Sequence, residues 1–147
     1  MEEKKIAIAS DHAGFERKRQ VKAHLEGLGY VVKDFGCFST ERADYPDFGH
    51  PLAEAVENGT FPVGITFCGS GNGISMTTNK HQGIRAALCW KPEIASLAKQ
   101  HNNANVCALP ARFVSHDEAL AIVDAFLEAE FDGGRHKKRI DKIPLKH

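Results

Sequence analysis

Short apolar runs and amphipathic stretches alternate along the chain. Lys5 to Ala9 reads as a first strand, and its uninterrupted Ile6, Ala7 and Ile8 mark a strand buried on both faces. After the loop Ser10-Asp11-His12-Ala13-Gly14, the residues Val21, Leu25 and Leu28 recur at helical spacing and predict a helix from Phe15 to Leu28. Gly27 and Gly29 weaken and end it. Tyr30 to Lys33 is a second strand, and residues 35 to 46 form a polar loop. A helix from Asp47 to Asn58 stops at Gly59. Phe61 to Cys68 is a third strand, with a helix over Asn72 to Lys80 behind it. Ile84 to Cys89 is a fourth strand. Pro92, suited to a first helical turn, opens a helix to His101. Asn105 to Ala108 is a fifth strand. Ser115 and Glu118 form a capping-box pair ahead of a helix whose Ala119, Ile122, Val123, Phe126 and Leu127 share one face. Gly133-Gly134 interrupts, and Arg135 to Ile143 is a short basic helix.

Five successive βα units predict an α/β fold of the Rossmann or flavodoxin-like kind, a three-layer α/β/α domain. Its sheet is five-stranded and parallel, in the order 2-1-3-4-5, with the last helix appended. One domain accounts for residues 1–147, without internal repeat or linker. Ligands of such sheets bind beyond the C-terminal strand ends, where strand order reverses. With strands one and three adjacent, the loop at Asp11-His12 and the loop after Cys68 meet in one crevice.

Lysine plus arginine and aspartate plus glutamate both number 19, so the formal net charge is zero. A nucleic-acid or membrane-surface binder needs a basic excess, and neither partner is expected. The opening Met1-Glu2-Glu3-Lys4-Lys5 has no apolar h-region behind it, and no run is long enough for a membrane span. The four cysteines, at 37, 68, 89 and 107, show no CxxC pair and no zinc-type spacing. Free thiols in a reducing cytoplasm are expected. There is no P-loop, GxGxxG or GxSxG pattern.

The candidate chemistry centres on Cys68-Gly69-Ser70-Gly71-Asn72-Gly73, between a buried strand and a helix start. Such a loop can turn several N–H groups toward one anion, and a cysteine at its edge is placed for nucleophilic or basic work. The alternative is a Gly-rich turn with a buried thiol. Asp11 and His12 either serve the crevice or cap the first helix. His101 is either a core histidine, on the face of Ile94, Leu97 and Ala98, or a functional one beside Asn102. Arg135 and Arg139, four apart, form a pair suited to phosphate, which Arg112 could join, or else a solvated basic tail. His24, His50, His116, His136 and His147 are assigned no role. Cys37, Cys89 and Cys107 read as small core residues.

Six segments, in order, resemble one family: Ser10-Asp11-His12-Ala13-Gly14-Phe15, Asp44-Tyr45-Pro46, the loop from Cys68 to Gly73, Gly83-Ile84-Arg85-Ala86, His101-Asn102 and Gly133-Gly134-Arg135-His136. The chain is similar to the ribose-5-phosphate isomerase B family, in the group that includes the allose and galactose sugar-phosphate isomerases. The resemblance implies an aldose–ketose isomerase acting through a cis-enediolate, with no cofactor and no metal. It implies Cys68 as the base, Ser70 as a proton relay, and His101 with Asp11 in ring opening. Gly69, Gly71, Asn72 and Gly73 would hold the enediolate oxygen. Tyr45 and Asn102 would contact the sugar, and His12, Arg112, Arg135 and Arg139 the phosphate. Some members carry a catalytic glutamate one step past the last glycine; Ile74 stands there in this chain, the cysteine type. The family also implies a homodimer or homotetramer whose sites are shared between chains. A six-carbon sugar phosphate is the rival substrate, with residues 36–48 expected to decide, and a non-catalytic phosphosugar-binding module is the rival role.

Overall fold

In the computed structural model, residues 4–145 are described; Met1 to Glu3 and His147, which entered the sequence reading, lie outside them. The strands are β1 (Lys5–Ser10), β2 (Val31–Asp34), β3 (Val63–Cys68), β4 (Ala86–Leu88) and β5 (Val106–Pro110). The helices are α1 (Phe15–Gly27), α2 (Tyr45–Glu57), α3 (Asn72–Thr78), α4 (Pro92–Asn102), α5 (His116–Glu128) and α6 (Arg135–Ile140). All strand pairs are parallel, and the order is β2-β1-β3-β5-β4. The α/β class and the β1–β3 adjacency are as expected. The expected order of the last two strands is corrected: β5 inserts between β3 and β4. Length and burial go with this order. β5 is buried throughout, whereas the three-residue β4 is only half-buried and takes the edge.

β1 and β3 carry uninterrupted apolar side chains because helices cover both faces. Ile6, Ile8, Ile65 and Phe67 point to one side, where Val21 and Leu25 of α1 and Ile122 and Phe126 of α5 enclose them. Ala7 and Ala9 face the other side, with Leu52, Ala53 and Val56 of α2. Gly64 lets α2 approach there, since a Cβ would stand 2.7 Å from Leu52 Cδ2. Leu28, expected on the buried face of α1, is the C-cap residue and is 57% exposed. Both halves of the capping box form: the Glu118 N–H donates to Ser115 Oγ (3.1 Å) and the Ser115 N–H to Glu118 Oε1 (2.9 Å). Tyr45 and Pro46 start α2 two residues before the expected Asp47, because a proline fits a first turn.

One buried charge lies outside the hydrophobic pattern. Lys18 of α1 is 1% exposed. Its Nζ donates to Asp34 Oδ1 (2.8 Å) and to the Cys37 carbonyl, between the rings of Phe15 and Phe38. The ammonium thus ties the end of β2 and the following loop to α1.

At Gly14 the α1 N-terminus meets the end of β3, and a Cβ there would stand 2.5 Å from the Phe67 carbonyl oxygen. Gly14→Ala is expected to destabilise the fold by about 1–3 kcal/mol, as overpacking does. Gly27→Ala, with nothing within 4 Å of its Cβ, should instead stabilise by up to about 1 kcal/mol. Urea denaturation of both variants beside the parent checks the contrast.

Candidate active site

The register brings the ends of β1 and β3 together, with Ser10 opposite Phe67. The Asp11 N–H donates to the Phe67 carbonyl (3.3 Å), and Asp11 Oδ1 accepts from the Gly14 N–H (3.1 Å). The loops after β1 and β3 therefore share one crevice. Asp11, 7% exposed, holds the N–H of Gly14, the N-cap residue of α1, and no side chain caps that helix itself.

Cys68, 4% exposed, closes β3. Gly71 has φ +80°, and a Cβ there would lie 2.4 Å from Leu88 Cδ1, so glycine is required on both counts. The Gly69, Ser70 and Gly71 N–H groups donate to no backbone or side-chain acceptor among the described residues. They form a cluster of available donors beside the thiol. Ser70 Oγ accepts from the Asn72 N–H (3.2 Å) and shapes the entry to α3. The Tyr45 ring covers Gly73, where a Cβ would meet it at 2.5 Å. The Arg112 N–H donates to the Gly69 carbonyl (3.0 Å), and its Nη1 lies 3.4 Å from where a Gly69 Cβ would stand. A guanidinium is thereby held against the loop.

His12 is clamped from the loop after β2. Its Nδ1 lies 3.1 Å from the Ala43 nitrogen and 3.2 Å from the Ala43 carbonyl oxygen, so it accepts from that N–H as the Nε2–H tautomer or donates to that oxygen as the Nδ1–H tautomer. Cys37, Cys89 and Cys107 are buried thiols, as expected. A hydrogen bond with Cys89 and full burial push the Cys107 thiol well above its usual range and keep it protonated.

His101, Asn102, Arg135 and Arg139 do not join this group within the chain. α4 runs antiparallel to the strands, and its C-terminus leads through Asn105 into the start of β5. The Asn105 carbonyl accepts from the Gly64 N–H at the beginning of β3, four residues before Cys68. Four strand residues span about 13 Å, so His101 lies at the opposite edge of the sheet. There its ring stacks on His136 with centroids 4.4 Å apart and planes 12° apart. Arg135 and Arg139 sit on α6 beside it, and Arg112 does not join them. Partial desolvation, then His101 and Arg135, hold His136 below the usual imidazole range, against the pull of Asp132.

The family model for ribose/galactose isomerase matches residues 6–143. The chain belongs to the ribose/galactose isomerase family. It is similar to the ribose-5-phosphate isomerase B of Escherichia coli K12, 46% identical over 95% of this chain and 94% of that one. The crystal structure of a ribose 5-phosphate isomerase from Thermotoga maritima superposes with a TM-score of 0.94 at 49% identity, over 95% of this chain and 97% of that one. The Mycoplasma genitalium ribose-5-phosphate isomerase B, solved with ribulose-5-phosphate bound, gives a TM-score of 0.90 at 44% identity, over 95% and 93%. No helix among the described residues is long and apolar enough to cross a membrane.

Two features of this family member escape a linear reading. His136, assigned no role, is the stacking partner of His101. The sequence shows no metal-type spacing, yet the fold brings His101, Asp132 and His136 together with one ligand atom each within 4.8 Å of the others. Asp132 and His136 are close in the chain, but no spacing rule links His101 to them.

The Ala43 clamp makes a direct prediction. Nitrogen-15 spectra of the imidazoles at mildly alkaline pH should show His12 as the Nε2–H tautomer, with an unprotonated Nδ1. A His12 signal from the Nδ1–H form would mean that Nδ1 donates to the Ala43 carbonyl oxygen, 3.2 Å away, instead of accepting from the Ala43 N–H.

Proposed function

We propose that this chain is an aldose–ketose isomerase interconverting ribose 5-phosphate and ribulose 5-phosphate. The observation that carries the reading is the crevice at the β1–β3 edge, where a thiol, free backbone donors, a backbone-held histidine and a guanidinium converge. The ribulose-5-phosphate complex of the Mycoplasma genitalium relative supports the same substrate class. The hydrogen on a carbon next to a carbonyl is weakly acidic, so the charge growing on oxygen must be stabilised as the proton leaves. Donors fixed beforehand supply that at no reorganisation cost, each worth about a hundredfold or more in turnover.

In this mechanism the Cys68 thiolate takes the proton from C2 of open-chain ribose 5-phosphate. The free N–H groups of Gly69, Ser70 and Gly71 hold the enediolate oxygen, with that of Gly73 and, once released from Ser70 Oγ, that of Asn72. Ser70 passes the hydroxyl proton between O1 and O2, and the Cys68 thiol returns its proton to C1. Ring opening precedes these steps and is assigned to His101 with Asp11. His12, Arg112, Arg135 and Arg139 bind the phosphate; Tyr45 and Asn102 contact the sugar.

His101 and Cys68 occupy opposite edges of one chain, so this assignment requires a second copy. We read the working unit as a homodimer in which the α4–α6 end of one protomer completes the crevice of its partner. Exposed apolar side chains around the Cys68 edge support a covered surface there: Met76 is 67% exposed, Trp90 50% and Phe113 75%.

The first test is incubation of purified protein with ribose 5-phosphate, following ribulose 5-phosphate by NMR. Faster turnover of allose or galactose 6-phosphate would instead favour a six-carbon substrate. Cys68→Ala should lower turnover by about a hundredfold or more while substrate affinity persists. Turnover within a few-fold of the parent would move the base elsewhere.

Mixed dimers test the shared site. Cys68→Ala and His101→Ala, each inactive alone, place both lesions in one site of a heterodimer and leave the other intact. Random mixing should therefore restore about one quarter of parental activity. No recovery, despite exchange seen by mass spectrometry, would place both residues in a single-chain site.

A further inference from the structure

Thr66 stands on β3, two residues before Cys68. It is fully buried, and its Oγ1 has no hydrogen-bond partner; among the described residues no other buried side-chain nitrogen or oxygen lacks one. Strand alternation puts Gly64, Thr66 and Cys68 on one face of the sheet, and Ile65 and Phe67 on the other. The packing agrees. A Cβ on Gly64 would meet Leu52 and Val56 of α2, and Cys68 packs with Ile74 of α3 and with Ala108. Ile65 and Phe67 lie in the opposite cluster, with α1 and α5. The registered neighbours of Thr66 are Ala9 on β1 and Ala108 on β5. The hydroxyl is therefore one step below the thiol on the same face, between two small side chains.

A valine would fill the same space with no polar atom. An interior hydroxyl without a hydrogen bond is costly, because it has left water and gained no partner. An internal water meets such groups where it finds at least two polar partners. Two are at hand on this face, Thr66 Oγ1 and Cys68 Sγ. Two residues along a strand rise about 6.7 Å, which two hydrogen bonds in series through one water can span. Ala9 and Ala108 leave room beside the threonine that larger side chains would close.

We propose that Thr66 is a positioning residue for Cys68: its O–H donates to one buried water, and that water donates to the Cys68 sulfur. The proposal rests on the reading of Cys68 as the base. A donor to the charged form of an acid favours that form, whereas burial alone opposes it. The water meets the sulfur from the sheet side, so the N–H groups of the loop stay available to the substrate.

Thr66→Val keeps the shape and removes the hydroxyl, and Thr66→Ser keeps the hydroxyl. Neither substitution touches the titratable and charged groups of the crevice, Asp11, His12, Tyr45 and Arg112. Alkylation of Cys68 by iodoacetamide, followed across pH by mass spectrometry of its peptide, needs no isomerase activity. Thr66→Val should slow it about threefold or more at neutral pH and move its profile to higher pH. Thr66→Ser should keep the parental profile. With ribose 5-phosphate, kcat of Thr66→Val should fall about threefold or more with KM unchanged. Urea denaturation should show that variant at least as stable as the parent, since an unpartnered hydroxyl is gone. A crystal structure of the parent should show one water within hydrogen-bonding distance of Thr66 Oγ1 and Cys68 Sγ. An empty gap there, or a Thr66→Val alkylation profile like the parent's, would overturn the proposal. Equal slowing in both variants would also overturn it, because packing alone would then account for the effect. Slower alkylation with unchanged turnover would keep Thr66 linked to the thiol and defeat the reading of Cys68 as the base.

Discussion

The N-terminus of α1 rests on the end of β3 with no space between them, because Gly14 has no Cβ to strike the Phe67 carbonyl oxygen. That contact fixes the height at which the first loop leaves the sheet. Asp11 and His12 consequently stand level with Cys68, and the Asp11 N–H takes up the Phe67 carbonyl directly. The parallel pairing of β1 with β3 sets the lateral position, and the glycine sets the vertical one. Tyr45 over Gly73 and Arg112 against Gly69 complete the wall. None of these side chains holds itself in place. Each is carried by a backbone segment whose packing is close enough to exclude alternatives, and directional chemistry requires such rigidity.

The same topology disperses the remaining polar groups. In a parallel α/β sheet every helix returns the chain to the N-terminal edge, so residues at helix ends and strand ends necessarily lie at opposite edges. His101 and Asn102 close a helix; Cys68 closes a strand. A single chain of this length has no element long enough to carry one group to the other without leaving the domain. The proposed symmetric pairing would meet that constraint, since it brings unlike edges of identical chains together twice.

Most of the architecture was legible in the sequence because local and global signals agree. The apolar runs at Ile6–Ala9 and Gly64–Cys68 specify buried central strands, and the Ser115–Glu118 box starts α5 as its pattern dictates. The place of β5 was not legible. Hydrophobicity separates central from edge strands only when lengths differ, and Val106–Pro110 extended past the expected end at Ala108. The Cys68 loop could be read because its glycines are adjacent in the chain. The Lys18–Asp34 pair, the Ala43–His12 clamp and the His101–His136 stack could not. Their partners are brought together by tertiary packing, and a lysine in an amphipathic helix looks like any solvated one.

Lys18 has a bearing on how this molecule can change over time. Its ammonium holds the Cys37 carbonyl from below, and Asp34 accepts from both Lys18 Nζ and the Gly36 N–H. The base of the loop between β2 and α2 is thus secured by groups that face inward, while Ser39 to Arg42 face solvent. Anchor and tip are separately encoded. Substitutions at the tip can accumulate without loosening the base. The loop therefore separates an anchored base from a tip whose residues can be exchanged while the proposed catalytic frame stays constant.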